Sequence, residues 1–200
     1  EHWFHLGRPL RRVEGGAMLI SWNGSMFEYL MPRLLLKPGP GTLLGESERM
    51  VVDVQQRYGQ SHRVPWGISE SAYAARDPEH RYRYQGFGVP ELGLKRGLSR
   101  DMVVAPYATA LALAVAPQKA VANLRHLIRS GGSGRYGLLE ALDFTLDRSS
   151  GSGPRSVDAY MAHHQGMLLS AIVNALFSDR FVSSFAEDPR MRPTMLLMSE

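Results

Sequence analysis

The sequence contains no cysteine, so it can form neither a disulfide nor a thiolate metal site. This composition is compatible with a reducing compartment but does not establish one. No apolar run approaches the roughly 20 residues that span a bilayer, and no signal peptide is visible. We therefore predict that these 200 residues are soluble and do not insert into a membrane.

A dominant charge of one sign is also missing. The 23 lysines and arginines are nearly balanced by 19 aspartates and glutamates, which gives a net charge of +4. Basic and acidic residues alternate, as in residues 76–81, and the densest basic cluster is Arg8, Arg11 and Arg12. Without a longer basic stripe or a binding motif, nucleic acid is not an expected partner.

Enough apolar sequence is present for a folded domain. Hydrophobic residues make up 44% of the 200 positions, which excludes a disordered or fibrous chain. The sequence begins at Glu1 without a methionine and ends close to an apolar stretch, residues 195–198. We interpret residues 1–200 as one partial domain excised from a longer multidomain chain.

The hydrophobic spacing indicates helices far more often than strands. Between the helical segments, residues 59–101 are irregular and rich in Tyr, Gly and Pro, and long loops of this kind usually carry function. We predict a mainly α fold, either an independent bundle or part of a toroid of helical hairpins, and the long loops favour the toroid. Helical spacing is found in residues 25–36, 42–58, 103–116, 118–129 and 157–177.

Residues 64–73 place one carboxylate, Glu70, between the aromatic residues Trp66 and Tyr73. Aromatic rings stack on the apolar face of a pyranose, and Ser69 and Ser71 could bind its rim. A carboxylic acid shielded by an indole can stay protonated near neutral pH, as general acid catalysis requires. Glu70 is therefore the catalytic candidate, although a capped helix beside two core aromatics fits the same residues.

A second segment, residues 22–32, has the same order of residue types. Trp22 is followed by small polar residues and then by Glu28, which lies between two aromatics. This order indicates a second sugar-contacting wall. The alternative is an ordinary helix start, in which Glu28 occupies the first turn and is stabilised by the helix dipole.

Charged residues elsewhere could add further sugar contacts. Glu140 and Asp143 are three residues apart and would share one face if their segment were helical. Asp143 could then bind sugar hydroxyls or pair with an arginine. Arg96 could supply a cation to the pocket or merely belong to an ordered turn.

His163 and His164 suggest a metal site at first sight. Adjacent side chains on a helix point about 100° apart, however, so the pair is not expected to share one ion. We expect one histidine to face the pocket as a donor to sugar and the other to pack. The sequence predicts neither a metal nor an organic cofactor.

Several motifs occur together and in order, namely residues 21–32, 64–73, 87–90 with 93–98, 104–109 and 160–167. Jointly they resemble the glycoamylase-like domain of bacterial cyclic β-1,2-glucan synthases. The resemblance covers nearly the whole chain. It implies an (α/α)6 toroid, with this chain as its C-terminal half, that closes linear β-1,2-glucan into a ring by transglycosylation. Related domains hydrolyse β-1,2-glucans.

The resemblance also implies partners and a location. In such synthases the domain lies between a membrane-embedded glycosyltransferase that uses UDP-glucose and a phosphorylase-like domain that trims chains. The expected partners are thus β-1,2-glucan and these flanking domains. The implied location is the cytoplasmic side of the bacterial inner membrane.

Finally, the resemblance assigns roles. Glu70 matches one of the family's two catalytic glutamates, and the other would fall upstream of Glu1, so the isolated fragment is expected to be inactive. Glu70 could be the acid/base or the nucleophile, and Trp66 favours the acid/base role. A β-1,2-glucan hydrolase and a non-catalytic glucan-binding domain remain as alternatives.

Overall fold

A computed structural model describes residues 2–149 and 153–198, and this part of the chain contains helices and short antiparallel strands. The α-helices are α1 (Met26–Leu30), α2 (Leu43–His62), α3 (Pro106–Leu111), α4 (Pro117–Arg129), α5 (Ala162–Leu176), α6 (Arg180–Ala186) and α7 (Arg192–Leu197). The strands are β1 (Leu10–Val13), β2 (Gly16–Leu19), β3 (Ser71–Arg76), β4 (Tyr82–Gln85), β5 (Val103–Val104), β6 (Ser133–Gly134), β7 (Gly137–Leu138), β8 (Ala141–Asp143) and β9 (Arg155–Val157).

Helix α3 lies at the centre of the core. All of its residues are buried, and it packs against α1, α4 and α5. Pro106 occupies the first turn, where its missing N–H removes no intrahelical hydrogen bond. A helix that is apolar on every side must be surrounded by other elements, and α3 has this pattern.

Helix α2 confirms the prediction of a helix over residues 42–58 and extends it to His62. The Thr42 hydroxyl caps its first turn by accepting a hydrogen bond from the Gly45 N–H at 3.2 Å. Its apolar face, with Val51 and Val54 buried, contacts the core.

The strands form four small antiparallel sheets, β1–β2, β3–β4, β5–β8–β9 and β6–β7. In the β3–β4 hairpin, Ala72 is opposite Tyr84. In the three-stranded sheet, Val104 is opposite Leu142, which is in turn opposite Ser156. The β3 strand packs against β8 and β9, so the hairpin rests on this sheet.

The Gly-rich segment 86–93 packs directly on the backbone of residues 21–25. The Val89 N–H donates to the Gly24 carbonyl at 3.1 Å. A Cβ atom on Gly88 would lie 1.8 Å from the Asn23 carbonyl oxygen, and Gly24 has a φ of +69°. Both positions therefore require glycine, because the two backbones approach too closely for a side chain.

The predicted mainly α toroid is wrong. The structure has 43% helix and 18% strand, distributed over several small sheets. The missed strands are only two to six residues long, so most of them are too short to show a clear period-two pattern. Asp143, for example, lies in β8 rather than on a helix.

Within the described residues, no single helix is long and apolar enough to cross a membrane. Helices α5 and α6 meet the length and composition test only as a pair, and their axes are bent by 92°.

Glu48 is a charged residue that is buried on α2. Its Oε2 atom lies 3.6 Å from the Arg33 guanidinium, which is buried as well. Burial outweighs the attraction of Arg33 and raises the pKa of Glu48 from 4.5 to about 7. The folded protein therefore retains a proton that the unfolded chain releases, so Glu48 makes stability fall as pH rises through this interval.

We expect the melting temperature of the Glu48→Gln variant, expressed relative to that of the wild type, to rise as the pH is raised from 5 to 8. The reason is that glutamine has no proton to lose and so never becomes a buried charge. Melting temperatures of both proteins across this range check the expectation. Glu91→Gln, at an exposed position, is the control. Parallel pH profiles for the wild type and Glu48→Gln would contradict the assignment.

Candidate active site

The segment before Glu70 is held by buried polar side chains from the core helices. The Gln55 side chain of α2 donates to the Ile68 carbonyl at 2.9 Å and accepts from the Ile68 N–H at 2.9 Å. The Tyr107 hydroxyl of α3 donates to the Glu70 carbonyl at 2.8 Å. Because these groups are buried and paired, the backbone at Glu70 has little freedom to move.

The Glu70 carboxylate is half-buried and is oriented by Tyr84. The Tyr84 hydroxyl donates to Glu70 Oε1 at 2.6 Å. Burial, and then this hydrogen bond, raise the pKa of Tyr84 well above 10, so the phenol keeps its proton. Pairing of Ala72 with Tyr84 across the hairpin brings the tyrosine to Glu70.

Behind this pair lie a buried histidine and a buried carboxylate. His164 Nδ1 lies 2.8 Å from Glu140 Oε1, and both side chains are fully buried. When Glu140 is ionised it can only accept, so Nδ1 carries the hydrogen and Nε2 faces Tyr84, 3.4 Å from its hydroxyl. The His164 ring also stacks on Tyr107, with centroids 3.8 Å apart.

The Glu140 carboxylate has a second partner, since Oε1 also accepts from the Ala72 N–H at 3.1 Å. Its other oxygen, Oε2, is buried without a hydrogen-bond partner among the described residues. One side chain thus connects the first turn of α5 to the strand that follows Glu70.

His163 is exposed beside the same cluster. Its ring centroid lies 3.9 Å from that of His164, and ligand atoms of Glu70, His163 and His164 all lie within 4.8 Å of one another. The expectation that the two imidazoles diverge is therefore wrong. Partial desolvation, and then the neighbouring His164, hold the pKa of His163 below 6.5.

The predicted aromatic platform is buried. Trp66 and Tyr73 are each only 8% exposed and belong to the core. The Tyr73 ring meets Phe87 edge-on with centroids 5.3 Å apart, and Arg148 covers its face at 4.9 Å. Neither ring therefore presents an open face to a sugar.

Glu28 caps α1. Its carboxylate accepts from the Ser25 N–H at 3.0 Å and from the Asn23 N–H at 3.0 Å, and the Ser25 hydroxyl caps the helix in return. These contacts order the loop that carries Trp22, whose side chain is 64% exposed. Glu28 thus belongs to the helix start, as in the alternative interpretation of this segment, and Trp22 remains accessible.

Asp143 and Arg96 contact residues other than those around Glu70. Asp143 is fully buried and pairs with Arg148 at 2.7 Å, which is the arginine pairing that the sequence left open. Arg96 is exposed and lines a separate surface hollow with Lys95 and Asp101.

Sequence reasoning did not assign a role to Tyr84, Tyr107 or Glu140. A signal for Glu140 existed, since an acid within the apolar run of residues 138–142 is seldom buried without a partner. The alternation of Tyr82 and Tyr84 with polar residues also indicated a strand.

Comparison with known proteins shows similarity along the whole chain. The family model Glycoamylase, described as "Putative glucoamylase", matches residues 1–185. The chain is 44% identical over 201 residues to the cyclic β-(1,2)-glucan synthase NdvB of Rhizobium meliloti. That match covers 100% of this chain but only 7% of the length of the relative.

Solved structures share the fold. A protein of the same family description from Bacteroides fragilis superposes with a TM-score of 0.68 at 19% identity, covering 96% of this chain and 45% of that one. An endo-β-1,2-glucanase from Chitinophaga pinensis gives a TM-score of 0.68 at 17% identity, covering 96% and 46%.

We expect Glu140→Leu to lower the free energy of unfolding by about 2–4 kcal/mol, because the Ala72 N–H and His164 Nδ1–H lose their buried acceptor. Urea unfolding followed by circular dichroism measures the change. Glu91→Leu, at an exposed position, controls for the change of residue type. Equal stability of the two variants would contradict the bridging role of Glu140.

Proposed function

Because the chain belongs to the glycoamylase family, we propose that it is a carbohydrate-active domain whose substrate is β-1,2-glucan and whose reaction is ring closure by transglycosylation. The observation that carries the proposal is the 44% identity to a cyclic β-(1,2)-glucan synthase along the entire chain. Glu70, half-buried and oriented by Tyr84, is the residue that we assign to catalysis.

In this reaction the glycosidic bond between the ring-forming segment and the rest of the glucan breaks, and the remaining segment leaves with its oxygen protonated. A hydroxyl at the far end of the ring-forming segment attacks the anomeric carbon and loses its proton. Water is not consumed, so the ring has the mass of a linear chain of the same number of glucose units minus one water. Tyr84 already donates a hydrogen bond to Oε1 of Glu70. Oε2 is therefore the atom that would protonate the leaving oxygen and later take the proton of the attacking hydroxyl. We therefore assign Glu70 as the acid/base.

A retaining transfer needs a second carboxylate about 5 Å from the first, across the scissile bond. Glu140 is unsuited to this role because its carboxylate is fully buried. We propose that the second catalytic glutamate comes from sequence outside residues 1–200, and that these residues alone are inactive.

Two side chains are proposed to contact the glucan. Trp22 presents an exposed indole for stacking. Its loop is joined to the segment before Glu70, since the Met26 N–H donates to the Ile68 carbonyl at 3.2 Å. His163, exposed beside Glu70, can donate a hydrogen bond to a sugar hydroxyl.

We also propose a larger setting for the domain. The chain matches only 7% of the length of NdvB, which leaves room for flanking domains in a protein of that kind. We propose a glycosyltransferase and a phosphorylase-like domain as these neighbours, in a parent held at the cytoplasmic side of the bacterial inner membrane.

Hydrolysis of β-1,2-glucan is the second candidate, favoured by the fold shared with the endo-β-1,2-glucanase. The two reactions differ only in whether a sugar hydroxyl or water attacks. In a purely glucan-binding domain, by contrast, Glu70 would serve only as a hydrogen-bond acceptor.

We expect Glu70→Gln in the full-length protein to lower turnover of linear β-1,2-glucan by about 10²–10⁴-fold, because glutamine can neither donate nor accept the proton. Glu79→Gln, at an exposed position on the β3–β4 loop, is the matched control and should keep wild-type turnover. Mass spectrometry of the products is the measurement.

Products lighter by one water than linear chains of the same number of glucose units, absent only with Glu70→Gln, would support ring closure. Short linear products lost in the same variant would replace ring closure by hydrolysis. Unchanged glucan with every protein would move the assignment to a glucan-binding domain.

A further inference from the structure

We propose that Glu70, His163 and His164 form a binding site for a divalent transition-metal ion such as Zn²⁺. Their ligand atoms lie within 4.8 Å of one another although the residues come from two distant parts of the chain. Zinc binds imidazole nitrogen and carboxylate oxygen at about 2.0–2.2 Å, so the three donors must approach to about 3.4 Å. The exposed His163 can supply this movement by side-chain rotation.

Glu140 supports the proposed site by pairing with His164. Metal-binding histidines usually donate their second ring N–H to a carboxylate, which fixes the tautomer and makes the ligand more basic. His164 Nδ1 already contacts Glu140 Oε1 at 2.8 Å, so Nε2 is directed towards Tyr84 and Glu70. The stacked Tyr107 ring holds the imidazole plane. His164 is thereby preorganised as a ligand before any ion arrives.

The donor set determines the kind of ion. Two imidazoles and one carboxylate suit zinc, copper or nickel better than magnesium or calcium, which prefer oxygen ligands. Tyr84 donates to Glu70 Oε1, which leaves Oε2 for the ion. The half-buried Glu70 and exposed His163 give solvent access, and the remaining coordination positions would hold water.

This site shares Glu70 with the proposed reaction. If that proposed function holds, Zn²⁺ and glucan compete for the carboxylate, and the ion inhibits turnover. The binding itself does not depend on the proposed function and is measurable with no glucan present.

Isothermal titration of the full-length protein with zinc chloride tests the proposal. The wild type should bind one more Zn²⁺ per chain than His163→Ala or Glu70→Gln, or bind it at least about tenfold more tightly. His126→Ala, which removes an exposed histidine of α4, is the matched control and should bind like the wild type. Melting temperatures verify that the variants are folded.

Co²⁺ provides a second readout, because ligation by histidine and carboxylate in a site of low coordination number gives visible absorption. This absorption should appear with the wild type and with His126→Ala and should be lost with His163→Ala. Identical zinc stoichiometry and affinity in the wild type, His163→Ala and Glu70→Gln would overturn the proposal. Absence of zinc binding to the wild type would overturn it equally.

Discussion

The arrangement of the site depends on one buried carboxylate, Glu140. A carboxylate is costly to bury unless it is paired, and its Oε1 atom is shared by the Ala72 N–H of β3 and the imidazole of His164 on α5. The two contacts hold a strand and a helix at a set separation. Glu70 lies directly before that strand, and His163 lies beside His164, so the site inherits its geometry from this pairing.

A second constraint acts on the backbone of residues 68–70. The Gln55 amide pairs with both backbone groups of Ile68, and Tyr107 holds the Glu70 carbonyl. Helices supply these contacts, while the residue that they position lies on the segment that connects α2 to β3. This division is typical of enzymes, in which a rigid core positions side chains on connecting segments.

Much of the candidate site was recognisable from residue types. Glu70, Trp22 and the histidine pair were identified as candidates from their chemistry. A carboxylate can act as an acid or base on a sugar, an indole can stack on it, and an imidazole can donate a hydrogen bond to it. The roles of their neighbours were harder to infer. Trp66 and Tyr73 were expected at a sugar and lie in the core, since sequence spacing does not reveal which face of an irregular segment is covered. Glu28 was expected at the sugar and caps α1 instead.

Helices α2, α4 and α5 and the family of the chain were recognisable from the sequence, because periodicity and ordered motifs are local properties. The helix ends were less accurate, since α2 continues to His62 and α5 begins only at Ala162. The small sheets, the burial of Glu140 and the convergence of Tyr84 and His164 on Glu70 are seen only in the folded chain. Strands of two to six residues are stable only when a partner strand and the core support them, and β5 finds its partner β8 more than 30 residues later in the chain. The partners of the Glu140 carboxylate, Ala72 and His164, are 68 and 24 residues away from it.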